Sequence, residues 1–386
     1  MTISFNTIPS NTLVPLFYAE MDNQAANTAQ DSGASLLIGH ANNGAEIVAN
    51  SLVLMPSADY ARQICGAGSQ LARMVEAYRQ TDPFGELYVI AVPEATGAAA
   101  TVTLTVTGEA TESGTVNVYV GRTRVQAPVT EMNDTSGRWS YARQLYGHVY
   151  TAKIGTLSEL VTAGDQFNQQ HITLAGYEKE TQTPADELAA SRTARAAVFI
   201  RNDPARPTQT GELVGMLPAP KGKRFTMTEQ QTLLSHGVAT AYVESGVLRI
   251  QRDVTTYRKN AYGVADNSYL DSETLHTSAY VLRKLKSVIT SKYGRHKLAS
   301  DGTRFGPGQA IVTPAVIKGE LLATYRQLER AGIVENYELF KQYLVLERDA
   351  SDPNRLNTLF PPDYVNQLRV FAVVNQFRLQ YSEESA

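Results

Sequence analysis

The chain has 386 residues, of which 43% are hydrophobic and 19% charged, and its net charge is −3. This is enough apolar material for two or three domains with sizeable cores, and the small net charge excludes a global attraction to nucleic acid or an anionic membrane. The lone cysteine, Cys65, excludes an internal disulfide framework, and no apolar run approaches the ~18 residues of a membrane span.

Residues 1–20 read as an extended arm. Pro9 and Pro15 hold their neighbours extended and withhold two amide donors, and Phe5, Ile8, Val14, Leu16 and Phe17 are too apolar for a solvated tail. A polar linker follows to about residue 33. The start lacks the basic and apolar regions of a signal peptide, which points to folding in the cytoplasm.

Strand and helix patterns then alternate. "SLLIGHA" (35–41) and "ELYVIAVP" (86–93) read as strands. Between them, Ser57 and Ser69 are placed to cap helices running to Ile64 and Arg79. "HVYTAK" (148–153) and "HITLAGY" (171–177) are further strands, followed by helices near 156–167 and 183–199. This alternation predicts an α/β layered sheet-and-helix domain, covering 34–95 and 130–220. "TVTLTVTGEATESGTVNVYVGRTRV" interrupts it as a β hairpin subdomain at 96–129, which ends abruptly. A composition shift near Lys221 opens an α+β C-terminal domain, 221–367. It holds a hairpin turning at Glu244-Ser245-Gly246, a helix from Ser272 to about Tyr293, and a helix from Pro314 to Ala331 stopped by Gly332.

The chain closes on an apolar strand, 368–381. Phe371, Val373, Phe377, Leu379 and Tyr381 share one face, with Val370 on the other, and Leu368 opens the run. Its partner is either the chain's own sheet or another molecule.

Chemistry is sparsely signalled. Gly66-Ala67-Gly68 precedes a helix as in a dinucleotide-binding turn, but Leu71 occupies the third glycine position and a helix, not a strand, precedes it. A loop between two helices is the plainer reading, and a nucleotide-binding α/β enzyme using the loop from Gly66 to Ser69 is the alternative. None of the six histidines sits in a metal-binding spacing, and there is no nucleophile elbow or P-loop. No catalytic residue, cofactor or metal is therefore expected. In 291–314, Lys292, Arg295, Lys297 and Arg304 cluster with Tyr293 and Phe305. That loop reads as a nucleic-acid contact, a plain surface loop, or a charged contact with a neighbouring subunit.

The stretches "RHKLASDGTRFGPGQAIVTP", "LVLERDASDPNRLNTLFPPDYVNQLRVFAVVNQFRL", "ISFNTIPSNTLVPLFYAEMDN" and "GAGSQLARMVEAYRQTDPFGELYVI" together resemble the contractile tail sheath proteins of phage Mu and its relatives. The resemblance implies a structural protein and no enzyme. It implies six-subunit rings stacked helically around an inner tube, with tail tube, baseplate and tail terminator proteins as partners. Neither nucleic acid nor membrane is a direct partner. The place is the virion tail, assembled in the bacterial host cytoplasm. It also implies that arms at 3–17 and 368–381 add strands to sheets of neighbouring subunits while the bodies rotate about joints at 22–33 and 349–357. In one respect the chain departs from the family, which carries more sequence between the inserted hairpin and a helix near "EMND"; here Val129 passes directly to Thr130.

Overall fold

The computed structural model describes Ala19 and residues 34–93, 118–120, 123–125 and 132–376. Its first sheet is built from β1 (Ser35–Gly39), β2 (Leu52–Leu54) and β3 (Leu87–Ala91). β3 lies in the centre, parallel to β1 and antiparallel to β2. Period-2 alternation turns Leu37, Leu87, Val89 and Ala91 into the core. It leaves Leu36, Ile38, Leu52 and Leu54 exposed on the other face. Helices α1 (Ala58–Cys65) and α2 (Gln70–Thr81) start where the sequence predicts, because the Ser57 and Ser69 hydroxyls accept hydrogen bonds from the backbone N–H of Tyr60 and Ala72.

In the inserted segment, β4 (Val118–Val120) pairs antiparallel with β5 (Thr123–Val125). The strand expected to run through 115–125 is thus broken by a two-residue connection; the earlier half of the expected hairpin lies outside the described residues. Near "EMND" Met132 is helical, the residues just before it lie outside the described residues, and the helix does not continue past it. Instead the Asn133 side-chain oxygen accepts from the backbone N–H of Thr135, Ser136 and Gly137, which closes a turn.

The second sheet has the order β6-β7-β8-β9, from β6 (Val149–Gly155), β7 (Ile172–Glu178), β8 (Val238–Glu244) and β9 (Val247–Arg252). All of β7 is buried, as expected of a strand covered on both faces. Helices α3 (Leu157–Asp165), α4 (Ala185–Asn202) and α5 (Met227–Ser235) cover it. The Glu159 carboxylate accepts from Thr156 N–H at 2.8 Å, and Glu229 repeats this on Thr226 at 2.7 Å, so both helices begin with a capping box. The turn after β8 uses left-handed Ser245 and Gly246, as a two-residue hairpin requires. This hairpin was expected to belong to a C-terminal domain opening at Lys221. It pairs instead with β7 through Leu174 and Val238, so the expected division at 220/221 runs through one sheet. The physical reason is burial: Ala239, Leu248 and Ile250 join the core that α2 and α4 share with the first sheet.

The remainder is helical with short strands. α6 (Ser272–Tyr293), α7 (Pro314–Arg330) and α8 (Tyr337–Tyr343) surround a second core. There the rings of Tyr325 and Phe340 stack at 3.7 Å, and Phe360 meets Phe340 edge-on at 4.8 Å. β10 (Lys297–Leu298) pairs with β11 (Ile311–Val312), and β12 (Val345–Arg348) pairs antiparallel with β13 (Leu356–Leu359).

Two half-buried histidines lie where α6 meets β6. His148 Nε2 shares a hydrogen bond with the Thr173 hydroxyl, and His276 Nε2 with the Tyr150 hydroxyl, both at 2.8 Å. Burial, with His276 and His171 nearby, holds His148 neutral well below its usual range; burial and Arg283 push His276 down to about 3. In the unfolded chain both imidazoles take up protons below about pH 6.5. Folded, they resist, so stability is complete above that pH and falls as pH drops towards 3. Each contributes a slope of about 1.4 kcal/mol per pH unit. Urea unfolding between pH 7 and 5 should show this loss, and His276→Gln should flatten it; an equal slope in the variant would assign the acid sensitivity elsewhere.

Candidate functional site

The last stretch of chain fixed to the body by backbone hydrogen bonds is 363–365. Tyr325 OH donates to the Glu335 carbonyl at 2.6 Å and accepts from Asp363 N–H at 3.0 Å, and Val365 N–H reaches the Ile333 carbonyl at 3.3 Å. Two side chains then tether the exit. Gln367 donates to the Ala205 carbonyl at 3.0 Å, and Gln209 donates to the Leu368 carbonyl at 3.3 Å.

Beyond Arg369, the described residues of the arm join no ladder in this chain. Their side chains face solvent, with Phe371 80% and Val374 87% exposed and Leu368, Val370 and Val373 exposed beside them. Of the residues expected to exchange between subunits, these are the described ones. Phe377, Leu379 and Tyr381, like Phe5, Ile8, Val14 and Phe17, lie outside the described residues, as do the 22–33 joint and the Val129–Thr130 junction.

A candidate acceptor sits in the same chain. In β12–β13 the pairs run from Val345–Leu359 to Arg348–Leu356. Each strand keeps a second edge with no ladder partner among the described residues, and such an edge presents backbone donors and acceptors ready for another strand. Leu346 and Leu356 pack on the core below, while Leu359 on β13 is exposed, as are Leu339 and Tyr343 of α8.

The loop at 349–357 departs from the flexible joint that its Asp, Ser, Pro and Asn content suggested. Asp349 Oδ1 accepts from Ser351 and Asp352 N–H at 2.8 and 3.0 Å, and its Oδ2 accepts from Asn357 Nδ2 at 2.9 Å. These bonds hold the carboxyl below its usual range. The residues that signal a linker here build a tight turn joining β12 to β13.

The basic cluster divides. Lys292 Nζ contacts Glu320 Oε1 at 2.5 Å, tying α6 to α7 beside the Tyr293 hydroxyl, which donates to Glu320 Oε2 at 3.0 Å. Lys297 Nζ donates to Gln309 at 3.3 Å across the β10–β11 loop. Arg295 and Arg304 are exposed on that loop, near half-exposed Phe305.

The loop from Gly66 to Ser69 is filled from within the chain. A Cβ on Gly66 would lie 2.6 Å from Asn42 Nδ2, and that same amide donates to the Ala67 carbonyl at 3.1 Å. Ser69 is buried and occupied in capping α2. The element before the loop is α1, not a strand, so the nucleotide-binding alternative finds no support. Among the described residues no group of three or more His, Cys, Asp and Glu side chains is arranged to hold a metal ion, and no helix is long and apolar enough to cross a membrane.

Comparison with known proteins places this architecture. Residues 95–256 match the phage tail sheath protein central domain, and 264–378 match the phage tail sheath C-terminal domain. The chain belongs to the phage tail sheath protein family. It is 32% identical to the Mu-like prophage FluMu tail sheath protein of Haemophilus influenzae, over 98% of this chain and all of that one. That alignment runs over 489 positions, so the relative carries segments that these 386 residues lack. The fold also resembles a chain of the anti-feeding prophage baseplate, with a TM-score of 0.55 at 10% identity, covering 95% of this chain and 100% of that one. A chain of the PVC sheath complex, an extracellular contractile injection system in its contracted state, gives 0.54 at 12% identity, covering 96% and 99%. The protein is a tail sheath subunit, a structural component of a phage tail.

Phe371 touches little of its own chain, so Phe371→Asp should leave the urea midpoint of the unassembled protein unchanged, within about 0.5 kcal/mol. A loss of several kcal/mol would mean that the arm packs on its own body in solution.

Proposed function

We propose that the subunit polymerises around an inner tail tube by donating its C-terminal strand to a neighbouring copy, and that the sheath so linked contracts to drive the tube through the host envelope. The observation that carries this reading is the pairing of opposites in one chain: an apolar terminal segment without a sheet, and a two-stranded sheet with open edges.

Magnitudes set what the strand must do. A donated strand spanning 368–381 gains roughly 1 kcal/mol per backbone hydrogen bond, on the order of 7 kcal/mol for about seven bonds. Fixing its backbone costs about 1–2 kcal/mol per residue, which is more. Burial of Phe371, Val373, Phe377 and Leu379 has to supply the difference, at ~1.5–3 kcal/mol for each large side chain. The acceptor in this reading is the β12–β13 edge, where Leu359, Leu339 and Tyr343 offer apolar surface. The N-terminal arm at 3–17 acts in the same way, and two linkages per subunit give avidity.

The wider picture belongs to the same reading. Six-subunit rings stack helically, with tail tube, baseplate and tail terminator proteins as partners, and assembly takes place in the host cytoplasm. The subunit has an arm and linker at 1–33 and an inserted β subdomain at 96–129, and it acts without enzymatic activity or cofactor. Lys292, Arg295, Lys297 and Arg304 mark a charged face towards the tube or a neighbour, with exposed Arg295 and Arg304 making the contact.

Deleting 370–386, which keeps Arg369 in place, should leave a folded subunit that forms no tubes in electron micrographs, and normal tubes would refute strand donation. Reversing charge at Arg295 and Arg304 together should reduce tube yield; wild-type assembly and contraction would remove that face from the mechanism.

A further inference from the structure

The body of the protein encloses a group of ionised side chains that its own helices and strands leave one cation short. Arg192, fully buried on α4, donates from Nε to Asp253 Oδ1 at 2.6 Å, from Nη1 to the Tyr177 hydroxyl and from Nη2 to the Thr240 carbonyl. Arg252, at the end of β9, grips Asp271 with two hydrogen bonds of 2.8 and 2.9 Å. Glu273, in the first turn of α6, is fully buried and accepts from the N–H and hydroxyl of Thr208 at 2.7 and 2.8 Å. Among the described residues of the body, Arg192 pairs with Asp253 and Arg252 with Asp271, and no ion pair reaches Glu273.

The third cation comes from the arm. Arg369 Nη2 lies 3.1 Å from Glu273 Oε2 and 3.2 Å from Asp271 Oδ1, and Nη1 approaches Gln209 Oε1 at 3.4 Å. Its side chain is only 12% exposed, whereas Val370 and Phe371, the next two residues, are 79% and 80% exposed. Burial raises the Glu273 carboxyl from its usual range, the acids at Asp271 and Asp253 add to that, and Arg369 opposes it. Taking one partner from a buried ion pair leaves an uncompensated charge in a poorly solvating interior. Both carboxylates are approached by the one nitrogen Nη2, and pulling the arm root out of the body is thus opposed by the body's own charge balance.

We propose that Arg369 is the fixed root of the C-terminal arm: it completes the buried charge group of Asp271 and Glu273, so that during strand exchange the arm swings about Val370 while 363–369 stay with the body. This rests on the reading of the arm as a donated strand. It places the joint beyond Arg369, in keeping with the tight turn observed at 349–357. It also means that pulling on the arm is transmitted to α6 and β9, which carry the acids and Arg252.

The test uses the full chain in its unassembled and assembled forms. Arg369→Met should lower the melting temperature and speed amide exchange at Asp363 and Val365, whose N–H groups bond to the body, by about tenfold or more. Combining it with Glu273→Gln removes the stranded charge, and should restore most of the melting temperature but neither slow exchange at the root nor normal tube yield. The paired variant keeps the test decisive if Arg369→Met alone fails to fold. Wild-type tube yield from the paired variant would overturn the proposal, as would a paired variant no more stable than Arg369→Met. A shorter chain ending at Arg369 separates the two ideas. It should keep slow exchange at Asp363 and Val365 and form no tubes. Tubes from that chain would defeat strand donation alone, and fast exchange in it would defeat the fixed root alone.

Discussion

Backbone amides and carbonyls need partners, and an apolar strand needs a surface; the described part of the C-terminal arm has neither in its own chain. Val370, Phe371, Val373 and Val374 stand in solvent, although β-branched and aromatic residues of this kind ordinarily fill a pleated, half-buried surface. Water can satisfy the backbone, but it leaves the apolar area uncovered. The contacts of Arg369 with Asp271 and Glu273 lie where the arm departs. The described residues beyond it stand apart from both cores, and among the described residues β12–β13 remains a two-stranded sheet.

This arrangement lets a sheath subunit be both stable and sociable. Its cores are complete without neighbours: β7 is fully buried, α2 and α4 close the first core, and Tyr325 stacks with Phe340 in the second. In the proposed reading, linkage to other copies uses the arm beyond Arg369, whose described residues contribute little to those cores. Changes in the arm should accordingly alter assembly more than folding, and changes in the buried charge group should alter both. Helix α6 joins the two roles, since it carries Glu273 at one end and Lys292, paired with Glu320 on α7, at the other.

Much of this was legible in the sequence where the signal is local. Ser57 and Ser69 cap helices as their positions suggest, and α6 spans the predicted 272–293. The turn at Ser245-Gly246 followed from residues that accept positive φ. Helix α5 was overlooked although Thr226 and Glu229 spell its capping box, because few apolar side chains follow. Non-local features were not legible. That β8 joins β7 depends on which surfaces are buried together, and nothing in either strand's periodicity says so. The root at Arg369 depends on acids about a hundred positions earlier, in a region where arginine reads as an ordinary polar interruption of a strand. The loop at 349–357 misled for a physical reason: Asp and Asn both loosen chains and lock turns, and only geometry distinguishes the two.

A density map of the assembled sheath, resolved well enough to trace 368–386 in one subunit, tests strand donation most directly. The account predicts that this segment runs from Arg369 of its own body to a different copy and lies as an added strand against the edge of that copy's β12–β13 sheet, with Phe371 and Phe377 buried. A segment that folds back on its own chain, or a β12–β13 sheet that stays two-stranded in the assembled sheath, would contradict it.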